Sequence, residues 1–321
     1  MVLFSRDLIV HLDPMAGNFW QSSHYQQWIL DRQDILLARA QDLKIYSEEE
    51  YQKLMIFFAN VIQCLGEQSK VRQQVIATAT VYFKRFYAKN CLRCIDPFLL
   101  IPTCIFLASK VEEFGLLSQS KLISSMQTVL KTKYYYVYPQ EYPYRNNHVL
   151  EAEFFLLEMM DCCLIVYHPY RPLVHYFQQD LPQDDSLQSL AWRIINDSLK
   201  TDVCLMYAPY HIALACLHIA SVVQNRDLRN WFAELSVDME KVLEVVRAIL
   251  HLYEVWRAFD EKKEAPPLVS KMPKANPQPS RPSSAGGAGN NGGRGQQDMS
   301  GGAGPGTMQH QHQQHSHSMQ I

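Results

Sequence analysis

The sequence predicts an all-α protein of two consecutive helical modules, and three observations predict it. Apolar residues recur at helical spacing through nearly the whole body of the chain, and alternating strand patterns are missing. Pro97, Pro143, Pro169, Pro172 and Pro209 fall at or just before the starts of periodic runs, where a missing N–H costs least. A shift of 112 positions carries Pro97 onto Pro209, Cys104 onto Cys216, Ala108 onto Ala220 and Ser109 onto Ser221. The same shift sets Ala79 on Ala191 and Tyr82 and Phe83 on Ile194 and Ile195, so one helical unit occurs twice.

Taken in order, helices are predicted over 22–42, 47–65, 70–88, 97–113, 118–131, 145–162, 171–180, 186–205, 209–224 and 238–258. The stretch KTKYYYVYPQEYPYR (131–145) is a tyrosine-rich connection. Basic residues do not interleave with its tyrosines, so it is expected to pack down as a lid rather than to bind nucleic acid. From about Glu264 the composition turns to Pro, Gly, Ser, Gln and His with almost nothing to bury, which predicts disorder.

The charge balance excludes some partners. The tail carries four basic and two acidic residues, so a chain of net charge −2 leaves about −4 for the folded part. That balance does not call for a nucleic acid or an anionic membrane surface. No apolar run reaches the ~18 residues of a membrane span. The eight cysteines follow no signal peptide, and Cys104 and Cys216 lie inside apolar helical runs, as reduced thiols of the nucleus or cytosol do. Cys91 and Cys94 have half the spacing of a zinc site, but no second pair follows at a fitting distance. His310, His312, His315 and His317 read as a solvated low-complexity tract. Neither a metal nor a cofactor is expected, and no nucleophile–base–orienter set marks an enzyme.

Two charges are out of place. In PFLLIPTCIFLASK, Lys110 falls among Leu99, Thr103 and Phe106 on the helical wheel. Its counterpart under the 112-residue shift is Val222, so the fold itself does not require a lysine there. In HVLEAEFFLLEMMD (148–161), Glu153 lies between Leu157 and Met160, on a helix apolar enough to be the buried centre of a bundle. A charge in such surroundings needs a partner. Two solutions are open: the pair neutralise each other, or both serve a surface that another chain completes.

At this point the residues resemble a cyclin. The resemblance rests on FLASKVEEF (106–114), on VIATATVYFKRFYAK (75–89), on HVLEAEFFLLEMMDCCLIVYHPYRPL (148–173) and on the twofold helical repeat. MAGNFWQSSHYQQWILDRQD (15–34) and WFAELSVDMEKVLEVVRAIL (231–250) are similar to the cyclin of the kinase module attached to Mediator, the coactivator complex of RNA polymerase II. The resemblance implies an N-terminal extension and helix (1–46), two cyclin boxes of five helices each (47–165 and 166–262) and a disordered tail (263–321). It implies a nuclear regulatory subunit that binds and activates a cyclin-dependent kinase, alongside other Mediator kinase-module subunits. Lys110 and Glu153 match the family's kinase-contacting lysine and glutamate, which meet the chain just before the kinase αC helix. Glu112 and Glu113 are then expected near basic groups of that helix, with Leu99, Phe106, Leu150 and Leu157 as apolar surround. Trp20 and Trp28 in the N-terminal helix are read as further kinase contacts.

Some features depart from the family pattern. Where cell-cycle cyclins carry the substrate-docking MRAIL, this chain has Leu54-Met-Ile-Phe-Phe58, without the arginine; the literal RAIL at Arg247–Leu250 lies in the other module. The family start matches Met15, which makes residues 1–14 either an extension or upstream of the true initiator. The runner-up function is a nucleic-acid-binding or otherwise non-kinase-binding relative of the same fold, like general initiation factor IIB. It would call for a zinc ribbon and a basic face.

Overall fold

The computed structural model describes residues 18–115, 117–181 and 184–274, all within one compact unit, Met1–Ser280. The predicted disorder beyond residue 274, the tail histidines and residues 1–15 lie outside the described residues. Every regular element among the described residues is helical. A 3-10 turn (Phe19–Gln21) leads into α1 (Ser23–Trp28), α2 (Arg32–Ala38) and a second 3-10 segment (Arg39–Lys44). The first module holds α3 (Glu48–Gln68), α4 (Gln73–Lys89), α5 (Pro97–Val111), α6 (Gln119–Thr132) and α7 (Asn146–Met159). The second holds α8 (Tyr170–Gln179), α9 (Asp185–Ser198), the short α10 (Val203–Met206), α11 (Pro209–Val223), α12 (Arg229–Glu234) and α13 (Met239–Ala258), with α14 (Glu261–Ser270) beyond.

The duplication extends to small details. α5 packs on α3, α4 and α7, and α11 packs in the same way on α8, α9 and α13. Both central helices open on a proline and close on a left-handed residue, Glu113 at φ 50° and Asn225 at φ 54°. Phe114 N donates to Ser109 O at 3.0 Å; Arg226 N repeats this to Ser221 O at 2.8 Å. These bonds satisfy carbonyls that a helix end leaves free.

The tyrosine-rich connection packs down as expected. Tyr134, Tyr138 and Tyr142 are buried in the first core. Tyr142 also has a specific task. Pro102 sits inside α5 and has no N–H for the carbonyl of Phe98; Tyr142 OH donates to that carbonyl at 2.9 Å instead.

Three predicted elements differ from those observed. The predicted helix 22–42 breaks at Ile29, which is extended, and Leu30 N donates across to Leu205 O of the second module at 2.8 Å. The predicted helix 186–205 splits into α9 and α10, because Asp202 between them is drawn to Lys84 of α4 and to Arg39 of the segment ahead of the first module. Disorder from residue 263 is corrected: residues 263–270 belong to α14. Ala265 and Leu268 are buried there. Tyr46 OH donates to Leu268 O at 2.9 Å, and Lys53 pairs with Glu264 at 2.8 Å. The proline pair Pro266–Pro267 masked this helix by its composition.

α4 is the wall between the modules. Phe83, Phe86 and Tyr87 fill the first core, while Ala77, Val81 and Ala88 enter the second. Buried charge joins the two sides. Arg39 makes a two-pronged contact with Asp202, at 2.5 and 3.0 Å, and Lys84 Nζ lies 3.3 Å from the same carboxylate. Burial alone would raise the Asp202 pKa, but the Lys84 and Arg39 charges outweigh it and hold the group well below the usual carboxylate range. Nearby, His168 Nε2 lies 2.6 Å from Thr78 Oγ1. Burial, then the Arg85 charge, push His168 down from 6.5 to about 3.

Asp202→Ala leaves Lys84 and Arg39 buried without their anion and is expected to cost about 3 kcal/mol in denaturant unfolding. Acid should expose the histidine separately. Neutral His168 contributes stability above its unfolded pKa of 6.5, and that contribution is lost as pH falls from 6.5 toward about 3. A His168→Gln chain followed over the same pH range should show a flatter fall in melting temperature than the wild type.

Candidate functional site

The two out-of-place charges meet at the surface of the first module. Asp96 caps α5 by accepting from Phe98 N at 2.9 Å, and the largely buried fifteen-residue helix carries the exposed Lys110 as its next-to-last residue. α7 packs on α5, and its buried residues are Val149, Ala152, Glu153 and Leu156. Across that contact the Lys110 ammonium pairs with Glu153 Oε1, which has no other donor among the described residues. The Lys110 side chain is 36% exposed and the Glu153 side chain 8%. Lys110 Nζ also lies 4.4 Å from the centre of the Phe106 ring, a cation–π geometry that orients the ammonium without a second anion. Of the two solutions open in the sequence, mutual pairing is therefore realised in the free chain, but at the surface, where one partner still faces solvent.

The apolar surround is arranged differently from the sequence expectation. α5, not α7, is the buried centre of the module. α7 is a surface helix with an outward stripe at helical spacing: Leu150 is exposed, Leu157 half-buried, and Phe154 between them is 74% exposed. Phe154 escaped the sequence reading, although its spacing from Leu150 and Leu157 is the signal that finds it. Phe106 is buried beneath Lys110, and Leu99 is partly buried against the first core. These two support the site from below more than they present it.

Two acidic candidates part company. Glu112 is half-buried and its carboxylate is already engaged within the chain, with Oε1 accepting from Thr78 Oγ1 at 2.5 Å and Oε2 from Gln74 Nε2 at 2.7 Å. Burial raises its pKa and those two bonds oppose the rise. Glu113 is exposed and makes no ion pair among the described residues.

The tryptophans also separate. Trp28 is corrected from a contact residue to a core residue. It is 1% exposed, with Arg85 Cζ 4.8 Å and Lys89 Nζ 4.1 Å from its ring centre. Trp20 is half-buried, and its ring neighbours are Phe19, Tyr25 and, at 5.8 Å, Tyr210 of α11. The N-terminal segment thus bridges both modules rather than capping the first alone. Cys91 and Cys94 lie with their sulfurs 3.5 Å apart, both as free thiols.

The sequence and the fold have relatives. The chain matches the cyclin N-terminal domain over residues 28–165 and the cyclin C-terminal domain over residues 168–256. It is 65% identical over 265 residues to Cyclin-C of Rattus norvegicus, covering 83% of this chain and 93% of that one. To Cyclin-C of Drosophila melanogaster it is 64% identical over 268 residues, covering 83% of this chain and 100% of the relative. In the cryo-EM structure of the yeast TFIIK (Kin28/Ccl1/Tfb3) complex, one chain superposes with a TM-score of 0.56 at 27% identity, covering 73% of this chain and 99% of that one. Matches to both halves, in the order in which the helices repeat, place this chain in the cyclin family.

Proposed function

We propose that the chain is the regulatory subunit of a cyclin-dependent kinase that acts on RNA polymerase II transcription in the nucleus, within the kinase module of Mediator. Support comes from its likeness to the Cyclin-C proteins and to a chain of the yeast TFIIK complex. The observation that carries the reading is the surface ion pair: Lys110 exposed over Phe106, Glu153 beneath it, and the stripe of Leu150, Phe154 and Leu157 with no cover of its own. An exposed apolar stripe beside a half-desolvated charge pair is the anatomy of a protein interface, with a hydrophobic patch and a few oriented polar groups. Two other contacts belong to this proposal: Glu113, at the left-handed end of α5, and Trp20. The domain limits implied by the family, 47–165 and 166–262, also remain part of it.

The mechanism follows from kinase chemistry. Phosphoryl transfer needs the kinase's own αC glutamate paired with its strand lysine. A rigid surface that fits only the inward αC position shifts that two-state equilibrium by its differential affinity, and about 5.5 kcal/mol takes a kinase from mostly inactive to mostly active. The cyclin contributes shape and charge to this step, and the kinase contributes the chemistry.

The test is kinase binding and activation by Lys110→Glu, Glu153→Lys and the double exchange of the two. Each single reversal is expected to weaken kinase binding about 30-fold or more, as loss of a buried interfacial charge contact does. The double exchange restores the internal pair, so its melting temperature should return toward wild type while kinase activation stays lost. Full activation by the exchanged pair would mean that the two residues serve only each other.

A further inference from the structure

The connection between α4 and α5 holds two thiols against each other. Residues 91–94 (Cys-Leu-Arg-Cys) form a turn in which Cys94 N donates to Cys91 O at 3.0 Å. The turn is pinned from below. Leu92 and Ile95 are buried in the first core, Leu92 N donates to the Asp42 carboxylate at 3.1 Å, and Tyr87 OH donates to Ile95 O at 2.7 Å. With these neighbours facing in, Cys91 and Cys94 are left half-buried, and their sulfurs lie 3.5 Å apart. Cys64, Cys104, Cys163, Cys204 and Cys216 are buried instead.

The fold does not require these thiols. Under the 112-residue shift Cys91 and Cys94 fall on Val203 and Met206 of α10, so the second copy makes the corresponding connection with no thiol at either position. A metal does not account for them either. A structural zinc site takes four ligands, and among the described residues no group of three or more His, Cys, Asp or Glu side chains is placed to hold an ion. What two thiols in one turn can do is close on each other. A β-turn keeps its first and last Cα within about 7 Å, close to the span of a disulfide. Sulfurs already 3.5 Å apart need only side-chain rotation to reach the ~2.05 Å of a bond.

We propose that Cys91 and Cys94 are a redox modification site, a dithiol that a hydroperoxide converts to a disulfide within the turn and that small thiols restore. Burial, then the hydrogen bond with Cys91, push the Cys94 thiol up to about 11, so Cys94 keeps its proton and Cys91 reacts first. The Cys91 thiolate attacks one peroxide oxygen. The O–O bond breaks, the second oxygen leaves with a proton as alcohol or water, and Cys91 becomes a sulfenic acid. The Cys94 sulfur then attacks the Cys91 sulfur, the S–O bond breaks, and hydroxide leaves with the Cys94 proton as water. Two thiols thus lose two electrons and two protons, and the hydroperoxide takes them up. Two molecules of a small thiol reverse the bond through a mixed disulfide and are themselves joined as a disulfide. Where thiols are kept reduced, such a bond is transient, as in redox sensing. With the resolving thiol in contact, Cys91 stops at a reversible stage short of sulfinic acid. The site is independent of the kinase reading, because it precedes the start of α5 and Lys110 lies near the other end, about 20 Å away.

The experiment treats the reduced full chain with hydrogen peroxide, blocks the remaining thiols by alkylation and maps the peptides by mass. The expected product lacks two hydrogen atoms in the peptide that carries Cys91 and Cys94. Both thiols are lost to alkylation together, and reduced glutathione restores both. In Cys94→Ser, Cys91 should be trapped as the sulfenic acid by dimedone, and without the trap should pass to sulfinic acid, which glutathione does not restore. Cys91→Ser should leave Cys94 open to alkylation at the same peroxide dose. The wild-type result stands without either variant, and the exposed Cys162 serves as its reference. The proposal is overturned if Cys91 and Cys94 both stay open to alkylation at a dose that oxidises Cys162. A bond from either one to a different cysteine would overturn it too, as would zinc held on both thiols in the chain as isolated from cells.

Discussion

The structure depends on the clamp that Asp202 makes on two buried cations. Lys84 belongs to the helix that forms the wall of both cores, and Arg39 to the segment that precedes the first module. Neither could be buried alone, because an unpaired ion in a protein interior is costly by several kcal/mol. One carboxylate from the second module answers both. The clamp ties three separate parts of the chain to one geometry, and Leu30, bonded to Leu205, adds a backbone tie close by. A buried ion pair is weak evidence for stability but good evidence for a defined arrangement, since displacement of any member strands the others. A cyclin needs that property, because a template that flexed could not hold a kinase element in one of its two positions.

On this fixed frame the two modules use the same helix packing for different surfaces. α5 and α11 begin on proline, end on a left-handed residue and lie in equivalent surroundings. The scaffold therefore does not dictate what stands at the last exposed turn. In one copy it is a lysine seated over a phenylalanine ring with a glutamate below; in the other it is a valine. Duplication lets the core residues stay while surface residues diverge, and the differences between copies mark residues free of folding duty. Lys110, which aligns with Val222 of the other copy, stands out by this criterion.

Much of the fold was legible because periodicity and proline placement report local structure directly. α5 and α11 could be read to within two residues, since a proline fixes each start and continuous apolar sequence fills each length. Where the reading failed, a distant contact had overridden the local pattern. Ile29 and Leu30 continue a helical pattern, but Leu30 gives its N–H to Leu205. Asp202 continues another, but turns to Arg39 and Lys84. α14 was hidden because only Ala265 and Leu268 are buried in a stretch of prolines and charges, and its partners, Tyr46, Lys53 and Asn60, lie some two hundred positions earlier. At the site, the residue types were legible and their directions were not. Glu112 and Glu113 are neighbours in sequence, yet one turns in to Thr78 and Gln74 and the other faces out. Trp28 looked like a contact residue because nothing local reveals the two cations that cover it.

The pairing of Lys110 with Glu153 bears on how the free subunit can exist before it meets a partner. A carboxylate this deeply buried is costly without a donor, and an apolar replacement would remove the charge that the proposed kinase contact uses. With the ammonium of its own chain as donor, the carboxylate is held in place, while the exposed side of the ammonium stays open to solvent. A partner then meets groups already oriented, and less of its binding energy goes into ordering them. The cation–π contact with Phe106 adds to this, because it fixes the lysine stem against a buried ring and leaves the head free to exchange acceptors. On the proposed kinase-binding reading, internal pairing and outward recognition are two stages of one arrangement, and the first makes the second less costly.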